Sequence, residues 1–154
     1  MRDSATPAPI TAPYRDRVPQ QLFVHLIWTT VDRLPMLTPS VCQFLGRFLP
    51  AEALRHGCET IALGMVLDHV HIVVRIPPRI DLPRLVQGLK GASSRLAATQ
   101  TVTGLRWAKG YEAKTVSPGA LSRVVDYVKH QPEHHASPRV RRVNPPLGAG
   151  GDPP

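Results

Sequence analysis

Met65–Ile76 reads MVLDHVHIVVRI, and the reading of this run decides the fold. It is rich in β-branched residues, and a strand sends successive side chains to opposite faces. His69 and His71 therefore project from one side of a sheet. Val70, Ile72, Val74 and Ile76 project from the other, where a core would cover them. Two neutral imidazoles side by side on a rigid strand make half of a divalent-metal site. An isolated His-x-His also serves as a structural pair, one ring buried and bonded and one exposed. Function then depends on what the rest of the chain brings to the pair.

Just upstream, Glu59–Val66 reads as a strand and Leu67-Asp68 as a tight turn, so the two strands form an antiparallel hairpin. Pro77-Pro78 stops the second of them. Further upstream, Gln21–Thr30 (QLFVHLIWTT) is β-branched and aromatic, a first strand with His25 on one face and Leu22, Val24, Leu26 and Trp28 on the other. His25 is within reach of a metal site, but its type and place fit a structural or DNA-facing role better. Asp32–Pro35 reads as a loop. Thr38-Pro39 opens a helix with a hydroxyl cap and a proline at the first helical position. Val41, Phe44, Leu45, Phe48 and Leu49 give that helix its apolar stripe, and Pro50 is expected to kink or end it.

Downstream of the histidines, Asp81 caps a second helix to about Thr99, with Leu82, Leu85, Val86, Leu89, Leu96 and Ala97 as its buried stripe. Lys90, Ser94 and Arg95, in a Lys-Gly-x-Ser-Ser-Arg run, and Arg84 suit phosphate contacts as well as they suit a solvated helix face. Trp107 and Tyr111 flank Lys109 and lead into a fourth strand, Tyr111–Val116. Both rings could stack on unpaired bases, although Trp107 reads better as core. Ser117-Pro118 caps a last helix carrying Arg123, with Leu121, Val124, Val125 and Val128 as its apolar stripe. Tyr127 flanks that stripe, and Gln131 follows at i+4 on the same side. Pro132 holds Gln131 at the helix terminus.

The order β-α-β-β-α-β-α specifies an α+β protein of the ferredoxin-like split βαβ pattern: a four-stranded antiparallel sheet with two helices on one face, plus a C-terminal helix carrying the tyrosine. With 154 residues and 17 prolines, many of them near the termini, the chain reads as a flexible arm at 1–18, one folded domain at 19–136 and a flexible Pro/Gly/Arg-rich tail at 137–154. No apolar run reaches the roughly 18 residues of a membrane span, and the N-terminus lacks a signal peptide's apolar core. The two cysteines form no metal or redox pattern, which fits a bacterial cytoplasm. A net charge of +8 favours a polyanionic partner, nucleic acid before membrane.

The chemistry follows from the assembled set. A divalent ion on His69, His71 and the amide oxygen of Gln131 keeps its full positive charge toward a phosphate. A free phenol has a pKa of about 10, so Tyr127 needs a nearby cation to become a nucleophile. A covalent phosphotyrosine would conserve bond energy for a second strand transfer, which suits breakage and joining better than hydrolysis. Glu133, His134 and His135 compete with Gln131 as third ligand.

The blocks FVHLIWTT, M-x-x-DHVHIVV, LxxLVQGLKGASSRL, W-x-KGYEAKTVS and YVKHQPEHH cover about residues 21 to 135. In this order and spacing the chain resembles the HUH single-tyrosine transposases of the insertion-sequence 200/605 type and their relatives associated with repetitive extragenic palindromes. The resemblance implies a transposase that cleaves and rejoins single-stranded DNA at element ends and recognises hairpins there. It implies Mg²⁺ or Mn²⁺, a 5′-phosphotyrosine on Tyr127, metal ligands at His69, His71 and Gln131, a homodimer whose tyrosine helix can serve the partner's site, and action in the cytoplasm at the nucleoid. A catalytically silent or domesticated DNA-hairpin binding protein accounts for the charge but not for the four site residues together. An RNA-binding module of the RRM type should show aromatic pairs where the third strand has His and Val.

Overall fold

The computed structural model describes residues 21–100 and 104–131. The proposed arm, the tail, and Glu133, His134 and His135 lie outside the described residues. Four strands, β1 (Phe23–Thr29), β2 (Glu59–Val66), β3 (His69–Arg75) and β4 (Glu112–Val116), form one sheet in the order β2-β3-β1-β4, with every neighbouring pair antiparallel. This is the split βαβ topology that the element order specifies.

Helix α1 (Pro39–Arg55) starts as its sequence dictates: the Thr38 hydroxyl accepts the Val41 N–H at 3.4 Å and Pro39 occupies the first turn. Of the kink or end expected of Pro50, the end does not occur: the helix runs on to Arg55. The carbonyl that Pro50 leaves without a donor, and against which its ring would press, belongs to Gly46 four residues earlier. Gly46 is exposed, with nothing within 4 Å of where a Cβ would sit, so the helix can give there and the carbonyl can face water.

The second helix is also not the uninterrupted one its stripe suggests. Helix α2 (Leu82–Gln87), capped by Asp81 accepting the Arg84 N–H at 3.0 Å, runs through a π-turn at Gly88–Ala92 into α3 (Ser93–Gln100). The wider turn shifts the phase of the buried stripe. Ser93 is fully buried, with its hydroxyl accepting the Trp107 indole N–H at 3.0 Å, while Leu96 turns outward. Gly88 marks the reason: a Cβ there would stand 2.6 Å from the His56 ring and 2.9 Å from the Glu52 carboxylate of α1. Glu52 is buried, paired with His56 at 3.2 Å and Arg55 at 3.0 Å.

The core lies between the sheet and these helices. Val24, Leu26 and Trp28 of β1 and Val70, Ile72 and Val74 of β3 pack against Val41, Leu45 and Leu49 of α1 and Leu85, Leu89 and Ala97 beyond it. Trp107, half-buried, meets Trp28 edge-on with ring centroids 5.8 Å apart, so its place is at the margin of this core. A last helix, α4 (Leu121–Lys129), packs on the opposite face of the sheet. The Ser117 side chain does not cap it. A 3₁₀ turn at Pro118–Ala120 intervenes, closed by the Ala120 N–H on the Ser117 carbonyl. No helix among the described residues is long and apolar enough to cross a membrane.

Candidate active site

The face away from the core is built by register. His71 pairs with Ile27 of β1 and Gly64 of β2, and His69 with Thr29 and Val66. His25, one side chain along β1 on that face, pairs with Val73 and with Lys114 of β4. All three imidazoles are buried.

Each histidine of the His-x-His pair has its Nδ1 engaged. His69 Nδ1 lies 2.6 Å from the Asp68 carboxylate, which Arg33 approaches to 3.5 Å. Burial pushes the Asp68 carboxyl up, but the hydrogen bond and charge of His69, with Arg33, more than offset this, and it is held below the usual carboxylate range. Ionised, it only accepts, so a neutral His69 paired with it carries its proton on Nδ1 and its lone pair on Nε2. Arg33 reaches Asp68 from a tight turn in which Asp32 and Arg33 have φ of 52° and 53°, a left-handed conformation that Asp tolerates and Arg seldom adopts. His71 Nδ1 lies 2.9 Å from His25 Nε2. Burial, then the charge of Lys114, lowers the His25 pKa below its ordinary value, with Glu112 opposing.

Helix α4 brings the remaining parts. Its apolar stripe is borne out: Val128 is fully buried on Ala62 and Val73, with Leu121, Val124 and Val125 around it. This close approach depends on Gly64, where any Cβ would collide with the Val128 carbonyl and sit 3.1 Å from its side chain. Docked this way, Tyr127 stands edge-on to His71 of its own chain, with centroids 5.9 Å apart and planes at 83°. One turn along, Gln131 is fully buried and its amide donates to the Tyr127 carbonyl at 3.4 Å, while its Oε1 has no hydrogen-bond partner among the described residues.

Among the described residues no three His, Cys, Asp or Glu side chains cluster to hold a metal by themselves. The orphaned Oε1 of Gln131 is the observation that bears on a cation. A buried carbonyl without a partner is costly, and a hard ion takes such an oxygen together with imidazole nitrogen. The imidazole nitrogens of His69 and His71 and the amide oxygen of Gln131 are donors of the kind a divalent ion takes.

The residues expected to touch DNA are spread over several elements. Lys90 donates to the Ala108 and Gly110 carbonyls at 2.7 and 2.6 Å, tying the segment before β4 to the π-turn, and burial lowers its pKa. The Ser94 hydroxyl donates to the Gly91 carbonyl at 3.3 Å. Arg95 on α3, Arg123 on α4, and Lys109 and Tyr111 on the segment before β4 are exposed. Arg84 belongs elsewhere, in a cleft of about 390 Å³ with Arg55, His56, Arg79, Ile80 and Asp81. Arg55 and Arg79 carry no local motif. Gly64 could have been noticed as a glycine inside a strand, a mark of close backbone approach.

Residues 19–131 match the family of IS200-like transposases. The ISDra2 transposase TnpA of Deinococcus radiodurans is 32% identical over 118 residues, covering 72% of this chain and 84% of that one. A crystal structure from Deinococcus radiodurans, assigned as a transposase, superposes with a TM-score of 0.61 at 29% identity, covering 79% of this chain and 98% of that one. A REP-associated tyrosine transposase bound to a REP hairpin shares the fold, with a TM-score of 0.60 at 16% identity over 81% of this chain and 74% of its own.

Proposed function

The chain belongs to the IS200-like transposase family, and on that premise we propose that it cleaves and rejoins single-stranded DNA at element ends through a metal-dependent 5′-phosphotyrosine on Tyr127. The observation that carries the reading is Tyr127 edge-on to His71 at 5.9 Å, with the orphaned Gln131 carbonyl one turn beyond.

His69, His71 and Gln131 would hold a Mg²⁺ or Mn²⁺ ion, which when bound would polarise the scissile phosphodiester and stabilise charge on the leaving oxygen. The three ligands are neutral, so none of the ion's charge toward DNA is cancelled. Asp68 holds the His69 ring in its ligating tautomer. Tyr127, 48% exposed, is accessible to a strand lying over the site. Its oxygen attacks phosphorus, the bond to the 3′ oxygen breaks, and that oxygen leaves with a proton as a free hydroxyl. The phosphotyrosine then accepts a second 3′ hydroxyl in the reverse sense, so cutting and joining are one reaction run in two directions.

We read the tyrosine as serving its own chain's histidines, inside a homodimer or outside one, because Gly64 is shaped for that docking. Hairpin recognition is assigned to the cleft of Arg55, Arg79 and Arg84, whose guanidinium groups suit phosphate oxygens. The similarity to a structure bound to a REP hairpin supports the hairpin as target.

The test uses single-stranded oligonucleotides from both flanks of the gene, incubated with protein in Mg²⁺ or EDTA and run on a denaturing gel. A DNA-labelled protein band that needs metal, and that Tyr127→Phe abolishes while hairpin binding persists, is the expected result. Hairpin binding with no band on any flank would leave a DNA-binding protein without catalysis. Mixing Tyr127→Phe with His71→Ala should not restore the band; restoration would place the tyrosine in trans.

A further inference from the structure

His25 and His71 are 46 residues apart in sequence and meet only because β1 and β3 pair. Their rings lie with centroids 5.1 Å apart at a 31° tilt, and the 2.9 Å between His25 Nε2 and His71 Nδ1 leaves room for one proton. Two arrangements satisfy that distance. If His25 donates, His71 Nδ1 accepts, and a neutral His71 carries its proton on Nε2. If His71 donates from Nδ1, its lone pair lies on Nε2 and His25 carries its own proton on Nδ1. Only the second makes His71 match His69, whose Nδ1 proton goes to the Asp68 carboxylate at 2.6 Å.

We propose that His25 is a positioning residue for the metal ligand His71: it accepts the His71 Nδ1 proton and fixes Nε2 as the ligating atom, as Asp68 does for His69. The proposal rests on the reading of His71 as a ligand. A purely structural imidazole is a poor explanation of the position. His25 is buried at 7% exposure on a strand whose same-face neighbours are Phe23 and Ile27. An apolar side chain would fill that place without the cost of desolvating ring nitrogens. The two acceptors also differ in a way that matters. Asp68 is an anion and strengthens His69 as a donor to metal; His25 is neutral and orients His71 without adding charge. The pair of ligands is therefore unequal, with His71 the weaker and more readily exchanged.

The test begins with metal-free protein labelled with ¹⁵N-histidine, where long-range proton–nitrogen NMR correlations report which nitrogen of His71 is protonated. Wild type is expected to show the Nδ1–H form. His25→Leu should shift His71 toward Nε2–H, and His25→Gln, whose amide oxygen can accept, should keep Nδ1–H. Mn²⁺ binding followed by electron paramagnetic resonance should weaken about tenfold in His25→Leu and recover to within about threefold in His25→Gln, as expected for the loss and repair of an outer-shell partner. Nε2–H in wild type would overturn the proposal whatever the metal does, and equal affinities in all three proteins would overturn it as well. Nδ1–H in wild type with no Mn²⁺ bound would instead overturn the metal reading beneath it. The wild-type spectrum is decisive even if His25→Leu fails to fold.

Discussion

The same two strands supply both faces of the sheet, and the faces have opposite tasks. Toward the helices, β1 and β3 present Val24, Leu26, Trp28, Val70, Ile72 and Val74, all 5% exposed or less. On the other face they present His25, His69 and His71, exposed by only 5–7%. Depth of burial does not distinguish core from site here. The difference lies in what does the burying. The helix face is covered by α1, α2 and α3 through interchangeable dispersion contacts, so its identity is volume and apolarity. The histidine face is covered by directional bonds and by α4, which leans on a small cluster of Val128, Ala62 and Val73. Such a face is specified atom by atom.

The largest effects should separate the two faces completely. Leu26→Ala, on β1 toward the helices, should destabilise the fold by about 2–5 kcal/mol in denaturant titrations, with adduct formation per folded molecule unchanged. His71→Ala, one strand away toward α4, should lose adduct formation while its unfolding midpoint stays near wild type. A His71→Ala protein as unstable as Leu26→Ala would erase the distinction between the faces. Gly64→Val comes next. Its side chain displaces the Val128 carbonyl and lifts α4, which should cut adduct formation at least tenfold, destabilise the fold by about 1–3 kcal/mol as overpacking does, and leave hairpin binding intact. Unchanged adduct formation would mean that α4 docks elsewhere when it works.

Smaller effects sharpen the contrast. Arg79→Ala with Arg84→Ala should weaken hairpin binding and reduce the salt dependence of log K by about 0.9 per phosphate contact removed, without changing cleavage of a saturating substrate. Loss of cleavage with binding preserved would move that cleft into the active site. The smallest concerns Cys58, in the core on the helix face, whose burial raises the thiol above its ordinary value of 9.0. The folded state keeps a proton that the unfolded chain loses, so stability should fall as pH rises above 9.0. The decline in thermal midpoint between about pH 8.5 and 10 should be shallower in Cys58→Ala. An equal decline would mean that solvent enters the core more freely than its packing implies.

Period-two alternation in His69–Ile76 was enough to put both histidines on one face and the valines on the other. Helical spacing in Leu121–Gln131 was enough to set Tyr127 and Gln131 on one side of α4. These patterns are local, and side-chain direction follows from backbone geometry alone. The element order, with its short connections, was likewise enough for the sheet topology. Pro50 and the π-turn were illegible for a shared reason. A breaker or an extra residue is accommodated by particular neighbours, the bare Gly46 carbonyl in one case and the Glu52 and His56 side chains facing Gly88 in the other. Local propensity carries no record of either.

The sequence by itself determined which residues could do chemistry here and on which side of their own element each stands. Tertiary structure alone decided their company. Strand register joins His25 to His71, chain reversal gathers Arg55, Arg79 and Arg84 at one cleft, and the space above Gly64 lets α4 lower Tyr127 onto its own sheet. Each is a contact between residues distant along the chain, set by how surfaces pack, and such contacts leave no periodic trace in the residues that make them.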